Sequence, residues 1–198
     1  MTIWTCKGPL AAFGVMLLTA CEGGQGLGAS SGAAKPPLSR AKMAGGVELV
    51  APDGFCIDQT SLEARFAVIA RCDGLGAPAS AGAAPRGLIT VSLTQSKPGS
   101  LPSAQQIAAE TSLQNVSDVE KGDQSITFRA QGRIPVGGLS PNQWRGVARM
   151  GTQTAGIAVY GPERGEIVSP SGRRVLTQLI TRSIDASAPA ITTVAQRN

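Results

Sequence analysis

Residues 125–160 read SITFRAQGRIPVGGLSPNQWRGVARMGTQTAGIAVY. In the first ten, Ile126, Phe128, Ala130 and Ile134 fall on one side, and Ser125, Thr127, Arg129, Gln131 and Arg133 on the other. Successive side chains of a strand point to opposite faces, so this alternation predicts a strand with one covered and one wet face. Residues 143–150 and 154–160 predict two further strands, joined by a turn at Gly151. Three adjacent strands with no helix between them favour antiparallel pairing over a parallel, helix-linked sheet.

Working outward, residues 103–115 predict a helix. Ser103 followed three residues later by Gln106 forms a capping box, and Pro102 stops the helix extending backwards. Its apolar face is modest: Ile107, Ala108, Leu113 and Val116. Downstream, Ser169-Pro170 starts a last helix, and Val175, Leu176, Leu179, Ile180 and Ile184 make an apolar stripe for the sheet. Upstream, residues 47–50, 66–72 (FAVIARC) and 88–93 (LITVSL) predict strands, while 74–87 (GLGAPASAGAAPRG) has no periodicity and reads as a mobile loop. The order is three strands, a helix, three strands and a helix. It predicts an α+β domain with a mostly antiparallel sheet of about five to six strands and two helices packed on it, in the manner of an α/β/α sandwich.

The chain has 198 residues, 42% of them hydrophobic and 16% charged, with no histidine. The absence of histidine excludes Ser-His-Asp and Cys-His catalysis and any imidazole-ligated metal. Gly151, Gly156, Gly161, Gly165 and Gly172 are too scattered to cradle a phosphate. No cofactor is implied.

The first residues, MTIWTCKGPLAAFGVMLLTAC, place one charge, Lys7, before an apolar run over 9–20. As a helix that run would reach only about 18 Å, too short for the ~30 Å hydrocarbon core of a bilayer, so it reads as a signal-peptide core. Leu18-Thr19-Ala20-Cys21 resembles the lipobox of bacterial lipoproteins. The resemblance implies cleavage before Cys21 and acyl chains on that residue, which hold the chain to a membrane. Glu22, rather than Asp, leans towards the outer membrane. Residues 22–42 (EGGQGLGASSGAAKPPLSRAK) are rich in Gly, Ala and Ser and read as a flexible tether. The expected organisation is a signal peptide over 1–20, lipidated Cys21 and tether over 21–43, the α+β domain over 44–185 and a loose tail over 186–198.

With Cys6 in the signal peptide and Cys21 lipidated, Cys56 and Cys72 remain of the four cysteines. An even remainder in an oxidising compartment reads as one disulfide. A metal site would need more ligands than these two thiols. The segment APDGFCID, with FAVIARCD and LITVSL behind it, resembles small exported alphaproteobacterial lipoproteins of undetermined role. That resemblance implies paired cysteines and an envelope address. The outline of the domain is similar to the PsbP-like sandwich, a likeness of fold that carries no activity.

Two constellations are candidates for chemistry. Asp53, Asp58, Glu63 and Asp73 surround the cysteine pair, where Asp58 and Asp73 would be paired carboxylates or a calcium site; as turn residues they need no such role. The second is an arginine stripe. A turn centred on Leu139 sets Arg129 opposite Arg149 and Arg133 opposite Arg145, and opposed like charges destabilise a sheet. Either the register differs, or acidic groups or an anionic ligand (phosphate, a lipid headgroup or an acidic envelope polymer) neutralise Arg129, Arg133, Arg145 and Arg149; the plainer and favoured reading is a solvated polar face. Trp144 reads as a core residue. The net charge of +5, part of it in the signal and tether, does not call for nucleic acid in an exported chain. The expected function is a non-catalytic, lipid-anchored periplasmic module that binds an envelope protein or anionic polymer. The alternatives are a small hydrolase or isomerase working through carboxylates and a structural accessory.

Overall fold

The computed structural model describes residues 35–78 and 84–188. The signal peptide, Cys21, the tether as far as residue 34, loop residues 79–83 and the tail from residue 189 lie outside the described residues.

A hairpin of β1 (Arg40–Lys42) and β2 (Glu48–Val50) precedes a seven-stranded antiparallel sheet. The sheet comprises β3 (Phe55–Ile57), β4 (Phe66–Arg71), β5 (Leu88–Gln95), β6 (Gln114–Lys121), β7 (Ser125–Gln131), β8 (Asn142–Met150) and β9 (Gln153–Tyr160). Their spatial order is β3-β4-β5-β9-β8-β7-β6. The chain thus lays down one meander, crosses to the far edge through α1 (Ala104–Glu110), and meanders back until β9 joins β5 in eight antiparallel pairs. The last helix, α2 (Pro170–Ser187), lies on one face and α1 on the other.

Both helices start where their caps require. In α1 the Ser103 hydroxyl accepts from the Gln106 amide at 3.2 Å, while the Gln106 side chain accepts from the Ser103 amide at 2.8 Å. In α2 the Ser169 hydroxyl accepts from the Ser171 amide at 3.2 Å, with Pro170 in the first turn, where its missing N–H costs nothing. Leu176, Leu179 and Ile180 are buried on the sheet, with Val175 and Ile184 packed at the margin. The β2 edge docks on the same helix, because the Val50 and Glu48 amides donate to the Ser183 and Ser187 hydroxyls at 3.0 and 2.9 Å.

The sheet has seven strands rather than five to six, for identifiable reasons. β3 is three residues long, too short to show a period, and so is β1 of the separate hairpin. β1 also lies inside the stretch read as tether, and Leu38 is bridged to Ile57. The first helix ends at Glu110, and residues 114–121 are strand rather than helix or loop. β6 escapes a period-two reading because Asn115 and Asp118 both take left-handed backbone, at φ 52° and 51°. Each marks a bulge that inserts one extra residue against β7, so Gln114, Ser117 and Glu120 meet Gln131, Arg129 and Thr127 in turn. The period becomes three, and Val116 packs against the cluster under α1.

The larger core runs between the sheet, α2 and the β1–β2 hairpin and includes Leu49, Ile57, Ile69, Ile89, Trp144, Met150 and Leu179. A smaller one joins α1 to Ile126, Phe128 and Ala130. Trp144 is buried as expected, and its indole N–H donates to the Ser169 carbonyl at 2.8 Å. Gly172 is needed there: a Cβ would strike the Ile167 carbonyl oxygen and come within 2.7 Å of Trp144 Cδ1. The disulfide Cys56–Cys72, with Cα atoms 4.8 Å apart, ties β3 to the residue that follows β4.

Two outcomes follow from this packing. Gly172→Ala should destabilise the domain by about 1–3 kcal/mol through overpacking, measured by urea unfolding. Replacing Cys56 and Cys72 together by Ala should cost about 3 kcal/mol in the same assay, since the pair closes a loop of 16 residues.

Candidate functional site

The β7–β8 register decides where the arginines go. Phe128 pairs with Arg145, Arg129 with Trp144, and the ladder ends at Gln131 and Asn142. The connection is therefore a ten-residue loop over 132–141, not a tight turn at Leu139. Its far end is drawn towards β9, where Leu139 bridges Pro162 and the Ser140 amide donates to the Gly161 carbonyl at 2.7 Å. The expected opposition of Arg129 with Arg149 and of Arg133 with Arg145 does not occur.

This register separates the stripe. Arg145 and Arg149 alternate in phase on β8 and share a face with Ile126, Phe128 and Ala130, the face of α1. Arg129 shares the opposite face with Trp144, the face of α2. Arg133 lies beyond the ladder, exposed in the loop, as does Ile134. The alternation of Ile126, Phe128 and Ala130 is real, but the polar side of β7 is not wet: Thr127 is buried and Arg129 half-buried. The four arginines do not form one anion site.

Their surroundings differ. The Arg145 guanidinium lies 5.6 Å from the centre of the Tyr160 ring, and burial holds its pKa below the usual guanidinium value. Arg129 lines a groove of about 380 Å³ with Asn115, Ser117, Gln131 and Asn142. Arg149 donates to the Gly99 carbonyl beneath the loop that precedes α1. In all three the Nε atom is buried without a hydrogen-bond partner, and none forms an ion pair among the described residues. Four other arginines are paired: Arg40 with Glu48, Arg71 with Asp73, Arg173 with Glu120 and Arg182 with Asp53.

Three of the four acidic residues near the disulfide are each engaged separately, and Glu63 joins none of these contacts. Asp53 accepts two bonds from Arg182, at 2.8 and 3.0 Å, and a third from the Gln178 side chain at 2.6 Å, which fastens the turn after β2 to α2. Asp58 caps its own turn by accepting from the Thr60 amide at 2.9 Å and from the Thr60 hydroxyl. Asp73 accepts from Arg71, with Nε to Oδ1 at 2.9 Å. Bonds from Arg182, Thr60 and Arg71 respectively hold all three carboxyls below their ordinary pKa. That is the opposite of the raised pKa a carboxylic acid needs to act as a general acid near neutrality. Among the described residues no group of three or more Cys, Asp and Glu is placed to hold a metal ion.

The larger concavities lie elsewhere. One, of about 710 Å³, runs along the outer side of α2 and is lined by Glu120, Arg173, Arg174, Gln178 and Arg182. Arg173 also stacks over Trp144, its guanidinium 5.6 Å from the ring centre. Two more, of about 650 and 580 Å³, flank the loop before α1 and share Arg149. In the sequence the α2 arginines carry only a weak signal: Arg174 lies on the helix side away from the apolar stripe, while Arg173 and Arg182 flank it.

The chain matches no family model and no curated protein.

The Asp53 cluster has a pH signature. A carboxyl with a lowered folded-state pKa adds stability that is complete above its unfolded value, near 3.8, and lost as pH falls through the folded value. The stability gap between the native chain and Asp53→Asn, no more than about 1 kcal/mol for so exposed a pair, should therefore narrow as pH falls below about 5 and go on closing below 3.8. Urea unfolding at several pH values measures it.

Proposed function

We propose that this chain is an exported lipoprotein, anchored through acyl chains on Cys21 to a membrane of the cell envelope. Its folded part is a non-catalytic binding or accessory module in the periplasm, with the outer membrane the favoured address. The observation that carries this reading is the Cys56–Cys72 disulfide, because such bridges persist in oxidising compartments and are rare in the cytoplasm. The lipobox-like Leu18-Thr19-Ala20-Cys21 supplies the anchor in the same reading. Among the described residues no helix is long and apolar enough to cross a membrane.

Binding rather than catalysis is supported by two features. The chain has no histidine, and the carboxyls of Asp53, Asp58 and Asp73 are committed to Arg182, Thr60 and Arg71. Arg129, Arg145 and Arg149, in contrast, carry charge that no carboxylate offsets among the described residues. Partly desolvated guanidinium groups favour anionic contacts, so the module's partner is an envelope component that presents negative charge.

Cell fractionation tests the anchor. The native chain should sediment with membranes, and Cys21→Ser should move to the soluble fraction. Intact-mass analysis should show a mature chain starting at an acylated Cys21. A chain that keeps Met1 and has free thiols at Cys56 and Cys72 refutes the reading.

A further inference from the structure

Arg149 stands apart from the other cationic side chains. On α2, Arg173 and Arg182 already hold Glu120 and Asp53, and Arg174 donates to the Ser171 hydroxyl at 3.2 Å. Arg145 and Arg129 are confined by Tyr160 and by a narrow polar groove. Arg149 also donates to the Gly99 carbonyl, but it is half-buried at the junction of two clefts and forms no ion pair among the described residues.

The more enclosed cleft, of about 650 Å³, lies between the first turn of α1, the loop before it and the β6–β7 hairpin. That volume falls within the range of small-molecule sites, roughly 300–1,000 Å³. Its lining has two parts. Leu101, Pro102, Ala104, Val119 and Ile126 supply an apolar wall, and Lys121 and Arg149 supply cations. Val119 is 47% exposed there, one of the few large apolar side chains the fold leaves uncovered. The period-three bulging of β6 bears on this, because Val116, three residues earlier, packs under α1 while Val119 comes to the cleft. One acid, Asp123, sits at the hairpin turn within the same lining. Two cations against one carboxylate leave a single net positive charge.

We propose that this cleft binds a single-chain anionic amphiphile: an acyl chain against Val119, Leu101 and Ile126, and a monoanionic head, carboxylate or phosphodiester, on Arg149 and Lys121. The half-buried guanidinium offers the head a charge-assisted bond at the cleft, while its own Nε lies buried behind it. The apolar wall accounts for selectivity over small anions, since burying each methylene is worth about 0.8 kcal/mol. The site is independent of the acyl anchor on Cys21.

The test uses the exported chain carrying Cys21→Ser, so that binding and anchoring are read separately. Isothermal titration calorimetry below the micellar concentration compares laurate, methyl laurate, acetate, inorganic phosphate and two lysophospholipids with phosphoglycerol and phosphocholine heads. Laurate or the phosphoglycerol lipid should bind saturably at one site, at least about tenfold tighter than methyl laurate, phosphocholine lipid or either small anion. The tighter of the two anionic amphiphiles identifies the head. Arg149→Gln should weaken that binding about tenfold, and Val119→Asp, at a position exposed enough to fold, by at least as much. Arg133→Gln, in the exposed loop at the opposite end of β7, should leave it unchanged. Equal affinity for laurate and its methyl ester overturns the anionic part. Equal affinity for laurate and acetate overturns the amphiphile, as does an Arg133→Gln effect as large as that of Arg149→Gln. No saturable binding of any amphiphile overturns the whole proposal.

Discussion

The two halves of the sheet are held together by the antiparallel seam between β5 and β9, which runs unbroken from Leu88–Tyr160 to Gln95–Gln153. Strands on either side pair with their sequence neighbours, so their pairing closes shorter stretches of chain than the seam does. The seam instead joins segments more than fifty residues apart, and its loop-closure entropy is the largest in the sheet. What offsets that entropy is on the α2 side. Ile89, Val91 and Leu93 of β5 lie against Ile157 and Val159 of β9, all buried in one core with Leu176, Leu179 and Ile180. The helix arrives last in sequence and covers a surface that exists only once both meanders have met. Its start is fixed where Trp144, Gly172 and the Ser169 carbonyl lock β8 to the first turn, and its last turns are fixed by the Ser183 and Ser187 hydroxyls on β2.

Charge placement follows from strand parity. A change of one residue in the β7–β8 register would exchange the faces of every β8 side chain relative to β7. In the register observed, Arg145 and Arg149 lie with the α1 cluster and Arg129 lies across from Trp144. The ten-residue loop makes this possible, because a hairpin of two residues fixes register and a long loop does not. Its anchoring to β9 through Leu139–Pro162 and Ser140–Gly161 then sets what the loop leaves free.

The legible parts of the fold were those governed by local chemistry. Ser103 with Gln106 and Ser169 with Pro170 marked both helix starts to the residue, and the stripe Val175 to Ile184 marked the packed side of α2. The alternation over 125–131, the apolar runs of β4 and β5 and the Cys56–Cys72 pair were equally plain. Segments too short or too irregular for a period were hidden. In QNVSDVEK the valines stand three apart, which suggests helix, and only the left-handed backbone at Asn115 and Asp118 turns that spacing into strand. The functional residues fared worse. The four arginines stand out on predicted strands, yet a register that no local feature encodes scatters them. The Asp53–Arg182 link joins residues 129 apart, and the cleft at Arg149 is assembled from three separate segments. Neither leaves a trace in spacing.

β6 has a further consequence at the rim of the sheet. An outermost strand with a straight row of free amides and carbonyls invites another polypeptide to add itself alongside. Here the twice-kinked backbone at Asn115 and Asp118 breaks that row on one border, and Leu38 occupies part of the other by bonding back to Ile57. A neighbouring copy laid alongside these borders therefore meets a shorter and less regular row of backbone groups than a straight edge strand would offer.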